Sequence, residues 1–129
     1  MSIKNPIAWF EIYVDDMSRA KLFYENVFAV VLEKIDDPTD VNSMMEMLAF
    51  PSNMEDYGAA GAIVKMDGYP AGGQGTIVYF NCDDCINEES RVVTAGGNVT
   101  QTKMSIGEFG FMSLITDTEG NTIGLHSMN

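Results

Sequence analysis

Glu11 and His126 are the one pair of side chains in this sequence suited to proton transfer. A buried carboxylate rises in proton affinity, and an imidazole titrates near neutrality. They stand among aromatic and amide residues at strand spacing. Trp9, Glu11 and Tyr13 alternate with Phe10, Ile12 and Val14; Ile77, Tyr79 and Asn81 alternate with Val78, Phe80 and Cys82; Thr122, Gly124 and His126 alternate with Ile123 and Leu125. Residues two apart on a strand share a face, so the first set of each can line a hollow while the second packs beneath a helix. Trp9, Glu11, Tyr13, Tyr79, Asn81 and His126 would then form an aromatic-walled pocket with a few polar groups. That composition suits a small organic ligand, with area supplying affinity and hydrogen bonds supplying orientation. Three roles stay open: ligand binding, acid–base catalysis by Glu11 and His126, or a satisfied polar site in which His126 bonds to Glu11 or to a backbone carbonyl. Trp9 and the tyrosines serve equally well as contacts between copies.

Two copies of one unit must position these residues. In NPIAWFEIYVDDMSRAKLFYENVF, Ile7 to Val14 is rich in aromatic and β-branched residues and reads as a strand. Asp15-Asp16 interrupts it and caps a helix whose apolar stripe is Met17, Ala20, Phe23, Tyr24, Val27 and Phe28. The same grammar returns in GTIVYFNCDDCINEESRVVTAGG, where Asp83-Asp84 matches Asp15-Asp16 and a glycine pair stops the helix. Strands are expected over 30–35, 44–50 and 59–66 after the first helix, and over 98–104, 110–116 and 122–127 after the second. Asp36 to Asp40 reads as a turn, and the glycine-rich stretch 67–75 as a flexible linker. The expectation is an α+β chain with module 1 over about 5–66 and module 2 over about 76–128, their sheets forming one curved surface with the helices outside.

The chain has 129 residues, enough for one domain, and no apolar run approaches the roughly 20 residues that cross a bilayer. MSIKNPIAW lacks the apolar core of a secretion signal, so a cytoplasmic location is expected. A net charge of −12 would repel phosphate backbones and anionic membranes, which argues against nucleic-acid and membrane partners. Cys82 and Cys85 form a lone C-x-x-C with no second pair for zinc, and Cys82 falls on an inward strand position, so a small buried hydrophobe competes with redox chemistry. Met44, Met45, Met47 and Met54 could wall an apolar ligand, fill the core or form a dimer seam. The loop 68–75 precedes a strand and lacks a Lys-Ser/Thr ending, so it does not cradle phosphate.

FEIYVDDMSRAKLFYENVF, VYFNCDDC, AGGNV and above all GFMSLITDTEGNTIGLHSM, in which Glu119-Gly120-Asn121 feeds the last strand, resemble the vicinal oxygen chelate superfamily of glyoxalase, bleomycin-resistance and extradiol-dioxygenase-like proteins. The resemblance covers nearly the whole chain. It implies paired βαβββ modules around a cupped mixed sheet, the glyoxalase/bleomycin resistance/dihydroxybiphenyl dioxygenase fold, a homodimer, and a divalent metal held by His, Gln or Glu. The matching metal positions carry Trp9, Ile77 and Gly124, with only Ala, Gly, Ile and Val over 59–64 for the fourth. None offers the carboxylate, imidazole or thiolate a divalent cation needs. The expectation is therefore a metal-free, cofactor-free relative that binds a small apolar or aromatic molecule in its cup. The alternative is a metal-dependent lyase, isomerase or dioxygenase with its ion on Glu11, His126 and Glu46.

Overall fold

The structure, a computed structural model, describes residues 5–35, 45–53, 55–73 and 75–129. The expected turn at Asp36 to Asp40, Met44 and Met54 lie outside them. The first unit runs β1 (Trp9–Tyr13), α1 (Met17–Phe28), β2 (Glu33–Ile35), β3 (Glu46–Ala49) and β4 (Ala60–Lys65). The second runs β5 (Val78–Asn81), α2 (Cys85–Val92), β6 (Asn98–Ser105), β7 (Phe111–Thr116) and β8 (Thr122–Ser127), with a 3-10 turn at Gly107–Phe109 between β6 and β7. Hydrogen bonding groups the strands as two four-stranded sheets, β1-β4-β3-β2 and β5-β8-β7-β6. In each, the first strand pairs parallel with the last and the other pairs are antiparallel. The repeat read from the two Asp-Asp pairs is thus a repeat of topology. No helix among the described residues is long and apolar enough to cross a membrane.

Each helix begins at the second aspartate of its pair. Asp16 accepts from the Arg19 amide at 3.0 Å, and Asp84 from the Ile86 amide at 3.1 Å, which satisfies donors the first turn leaves unpaired. α1 ends at Ala29 in the left-handed region, φ 55°, a position glycine fills more easily. After α2 the chain turns at Gly96, φ 102°, and the Gly97 amide returns to the Val92 carbonyl at 3.0 Å. Gly97 has no room for a side chain, because it lies against the Thr116 carbonyl and the Phe23 ring.

The two half-cores merge into one. α1 touches α2, and Phe23, Tyr24 and Val27 are fully buried in a cluster that takes Ile12, Val14 and Ile63 from the first unit and Cys85, Ile115, Ile123 and Leu125 from the second. Tyr24 stands edge-on to Phe50 and Phe23, with ring centroids 5.5 and 5.1 Å apart. Each helix turns its apolar stripe to an interior shared by both sheets and leaves its other face outside, with Arg19 and Asn26 on α1 and Asn87 and Ser90 on α2.

A turn in the second unit locks this arrangement. Glu119, its side chain fully buried, accepts hydrogen bonds from the amides of Asp15 and Asp16 at 2.9 and 2.8 Å, from Arg19 Nε and Nη2 at 2.7 and 3.0 Å, and from Thr118 Oγ1 at 2.8 Å. Asp117 accepts from the buried Tyr24 hydroxyl at 2.6 Å and from the amides of Glu119 and Asn121. Asn121 donates to Asp117 and to the Tyr13 carbonyl, and accepts from the Gly72 amide at 2.8 Å. The Ala71 amide donates to Asp15, and Tyr69 stacks on Tyr13 with centroids 5.4 Å apart. The linker expected to be flexible is thus tied at three points, because its backbone donors find side-chain acceptors on both units.

Burial alone would raise the Glu119 pKa, but the bonds from Arg19, Thr118 and the two amides outweigh it and hold the carboxyl at about 2. A folded-state pKa below the ordinary carboxylate value contributes stability that is complete above about pH 4.5 and is lost as the pH falls toward 2, of order 3 kcal/mol in all. Glu119→Gln should lose about 2–4 kcal/mol in urea unfolding at pH 7, and the gap from wild type should narrow as the pH falls through that window. A gap that stays constant would place the stabilisation elsewhere. Tyr24→Phe removes one of the donors to buried Asp117 and should cost about 1–2 kcal/mol by the same measurement.

Candidate functional site

Strand alternation delivers the first three expected residues to one place. Phe10, Ile12 and Val14 point into the core, so Trp9, Glu11 and Tyr13 stand on the opposite face of β1. There Glu11 is a shared acceptor: Trp9 Nε1 donates to Oε2 at 3.2 Å, and the Tyr13 hydroxyl donates to Oε1 at 2.8 Å. Burial first, then the Glu11 hydrogen bond, pushes the Tyr13 phenol up to about 12, which keeps it a protonated donor near neutral pH. Ala60, Ala62 and Val64 of β4 and Met47 and Ala49 of β3 continue this face by register. A hollow of about 310 Å³ adjoins it, lined by Glu11, Tyr13, Pro70, Thr76 and Thr122.

The second three meet on the equivalent face of the other sheet. Asn81 pairs with His126 and Tyr79 with Gly124 across β5 and β8, and Tyr79 lies over Gly124 so closely that a side chain there would strike its ring. His126 Nε2 is 2.7 Å from the Phe109 carbonyl; since a carbonyl only accepts, the imidazole carries its proton on Nε2. Of the partners the sequence allowed for His126, the structure selects the backbone carbonyl. No hydrogen bond joins Glu11 to His126, and the two belong to different sheets. Neither the hollow beside Glu11 and Tyr13 nor the cavity that Trp9 lines takes in Tyr79, Asn81 or His126 among the described residues.

The positions that the resemblance assigns to metal ligands do not suit one. Trp9 pairs with Ala60, Ile77 stands just before β5, and Gly124 lies beneath Tyr79, so those positions offer indole, aliphatic carbon and bare backbone. The nearest carboxylate, Glu11, has an oxygen on each of two neighbours. Glu46, the third member of the alternative ligand set, pairs with Lys65 on the opposite face of its sheet from Met47, Val64 and Tyr13, because it is one residue from Met47 along β3. Glu11, His126 and Glu46 are therefore not brought together. Among the described residues no three His, Cys, Asp or Glu side chains converge. Cys82 and Cys85 are free thiols, Cys85 buried; burial first, then Glu88, pushes the Cys82 thiol up to about 12, far from a reactive thiolate.

Two groups of residues emerge here that alternation and motif alone do not identify. Asp117, Glu119 and Asn121 lie more than a hundred residues from Asp15 and Tyr13, yet they hold the C-terminal end of β1 from which Tyr13 projects. The spacing D-x-E-G-N was visible, but its partners were not. Phe10, Phe28, Phe50 and Phe80 read as core and are only partly buried, because they face a cavity on the helix side of β1.

The sequence profile of the Glyoxalase/Bleomycin resistance protein/Dioxygenase superfamily matches residues 6–125. The CFP32 proteins of Mycobacterium bovis and Mycobacterium tuberculosis, whose name marks them as glyoxylase candidates, are 32% identical over 123 residues, which is 94% of this chain and 45% of theirs. This chain thus spans about half the length of the curated relatives it matches. Glyoxalase I of Zea mays superposes with a TM-score of 0.69 at 17% identity, over 95% of this chain and 46% of that one. TnmS3, an antibiotic binding protein from Streptomyces sp. CB03234, superposes with a TM-score of 0.63 at 22% identity over 98% of each chain. With its paired sheets, its two capped helices and a matching profile across nearly its whole length, the chain belongs to the glyoxalase/bleomycin resistance protein/dioxygenase superfamily.

Proposed function

We propose that this protein binds a small apolar or aromatic molecule against the open faces of its two sheets, without a metal, as a homodimer whose second copy closes the site. The observation that carries this is the Trp9, Glu11 and Tyr13 constellation. One carboxylate holds an indole and a phenol by their polar edges, so two aromatic side chains are fixed before any ligand arrives, and preorganisation is what turns contact area into affinity. Trp9, Ile77 and Tyr79 are 42%, 39% and 48% exposed, apolar surface that a ligand or a second copy would cover. Glu11 and His126 have separate partners and no common one, which favours holding a molecule over passing a proton through the pair. TnmS3 shares this fold and binds an antibiotic, so the architecture accommodates ligand binding in that protein. Metal-dependent lyase, isomerase or dioxygenase chemistry is the competing outcome.

Calorimetric titration of 1-naphthol into protein purified without chelator tests the proposal. Binding should persist unchanged in EDTA, and Trp9→Ala should weaken it about tenfold or more. Near-stoichiometric Ni, Zn, Fe or Mn in the purified protein, or binding that EDTA abolishes, would overturn it. The anchor itself can be checked by following phenol ionisation. In Glu11→Gln the Tyr13 transition should move down from about 12 yet stay above the ordinary tyrosine value, since burial is the larger cause and remains.

A further inference from the structure

The internal repeat builds two equivalent junctions between the units, and they are finished differently. With Asp15-Asp16 set on Asp83-Asp84, and Phe10 paired to Gly61 as Val78 is to Ile123, Tyr57, Gly58 and Ala59 stand where the other unit has Glu119, Gly120 and Asn121. Gly58 and Gly120 both take left-handed backbone, φ 102° and 86°, so the correspondence is one of conformation as well as count. At one junction Glu119 and Asn121 reach across and seal. At the other, Tyr57 is 81% exposed and Ala59 has no group that could reach. What remains there is a cavity of about 470 Å³, in the size range of small-molecule sites.

The floor of this cavity is aromatic. Phe28 and Phe50 pack against Phe80 with centroids 4.4 and 5.3 Å apart, Phe10 meets Phe80 edge-on at 5.7 Å, and all four rings are only partly buried. Gly61 is flush with the Phe10 ring, and a side chain at that position would displace it. Asp56 is the one charged residue among the lining residues described, and none of them is basic. Its Oδ1 accepts from the Tyr57 amide at 2.8 Å, which orients the carboxylate, and its other oxygen accepts no bond among the described residues. Ring faces carry negative potential, so an aromatic floor with one carboxylate at hand selects a cation, and a chain of net charge −12 draws cations toward it.

We propose that this cavity is a binding site for a small organic cation, an arylalkylammonium whose apolar body occupies the ring floor and whose ammonium group pairs with Asp56. The cavity is lined by Trp9 at its rim as well as by these rings, but not by Glu11, Tyr13, Tyr79 or His126. Titration with 2-phenylethylammonium, followed by amide chemical shifts and set against phenylacetate as the matched anion, tests it. Shifts should concentrate at residues 53, 55–61 and 80, and the cation should bind about tenfold or more tighter than the anion. Asp56→Asn, at an exposed position, should bring the two within about threefold. Ala59→Leu, which fills the cavity from an exposed position, should weaken the cation about tenfold. Equal affinity for cation and anion, shifts confined to Tyr13, Tyr79 and His126, an Ala59→Leu protein that binds as before, or no binding up to roughly 10 mM would each overturn the assignment.

Discussion

The buried carboxylate of Glu119 is the constraint on which the rest of the molecule depends. Neither unit can close a core with one helix and four strands, so each must borrow apolar surface from the other, and hydrophobic contact alone does not set the angle at which they meet. Glu119 supplies direction. Its two oxygens take the amides at the start of α1 and the Arg19 guanidinium on that helix's outer stripe, so the second unit can dock in only one register. The amide of Asp16 lies at the N-terminus of a helix, where a negative charge is favoured, and this lets a full charge be buried with little protest. Tyr24, Asp117 and Asn121 then carry the same registration into the core and onto the last carbonyl of β1. The position of Tyr13, and through it that of Glu11 and Trp9, follows from this docking.

Duplication explains why the molecule has two junctions, and divergence explains why they differ. A βαβββ unit repeated about a common core places the β3–β4 loop against the second unit much as the β7–β8 turn lies against the first. Only one of these contacts needs to fix the geometry. Once Glu119 and Asn121 hold one junction, the counterpart positions are released from that duty, and Tyr57 and Ala59 occupy them. The freed junction retains the aromatic floor of Phe10, Phe28, Phe50 and Phe80, which the shared core requires in any case, but has no counterpart of Glu119 or Asn121 reaching across to seal it. An open cavity there is the expected residue of symmetry satisfied once.

Much of the fold is legible in the residues because it is written locally. α1 spans Met17–Phe28 because an aspartate cap precedes a stripe at helical spacing, and β8 spans Thr122–Ser127 because apolar residues alternate after a glycine turn. Both signals sit within a dozen residues. The failures are long-range. The linker looked free because glycine content reports backbone freedom in isolation, whereas Ala71, Gly72 and Tyr69 are held by partners as distant as Asp15 and Asn121. An amphipathic stripe says that one face of a helix is covered, not by what; the inner face of α1 is covered from both units. In the candidate site, alternation puts Trp9, Glu11 and Tyr13 on one face of β1, and strand pairing sets Tyr79 and Asn81 beside Gly124 and His126. Whether the two groups share one hollow depends on how the sheets are set against each other, and no periodicity encodes that.

The chemistry open to the first group follows from what surrounds Glu11. Each oxygen of Glu11 receives one donor from the same strand, which fixes the carboxylate's orientation and leaves each oxygen one further lone pair. Trp9 and Tyr13 stand two residues to either side of Glu11, the separation that puts side chains next to one another on one face of a strand. The arrangement is thus a property of five consecutive residues and needs no distant partner to form, unlike the inter-unit clamp. Detaching the carboxylate would cost two hydrogen bonds, one of them from a phenol that burial keeps protonated. This strand uses its one acid to tie down its own aromatic side chains. A flat, rigid, largely apolar surface is the consequence, and such a surface recognises shape and area before it recognises charge.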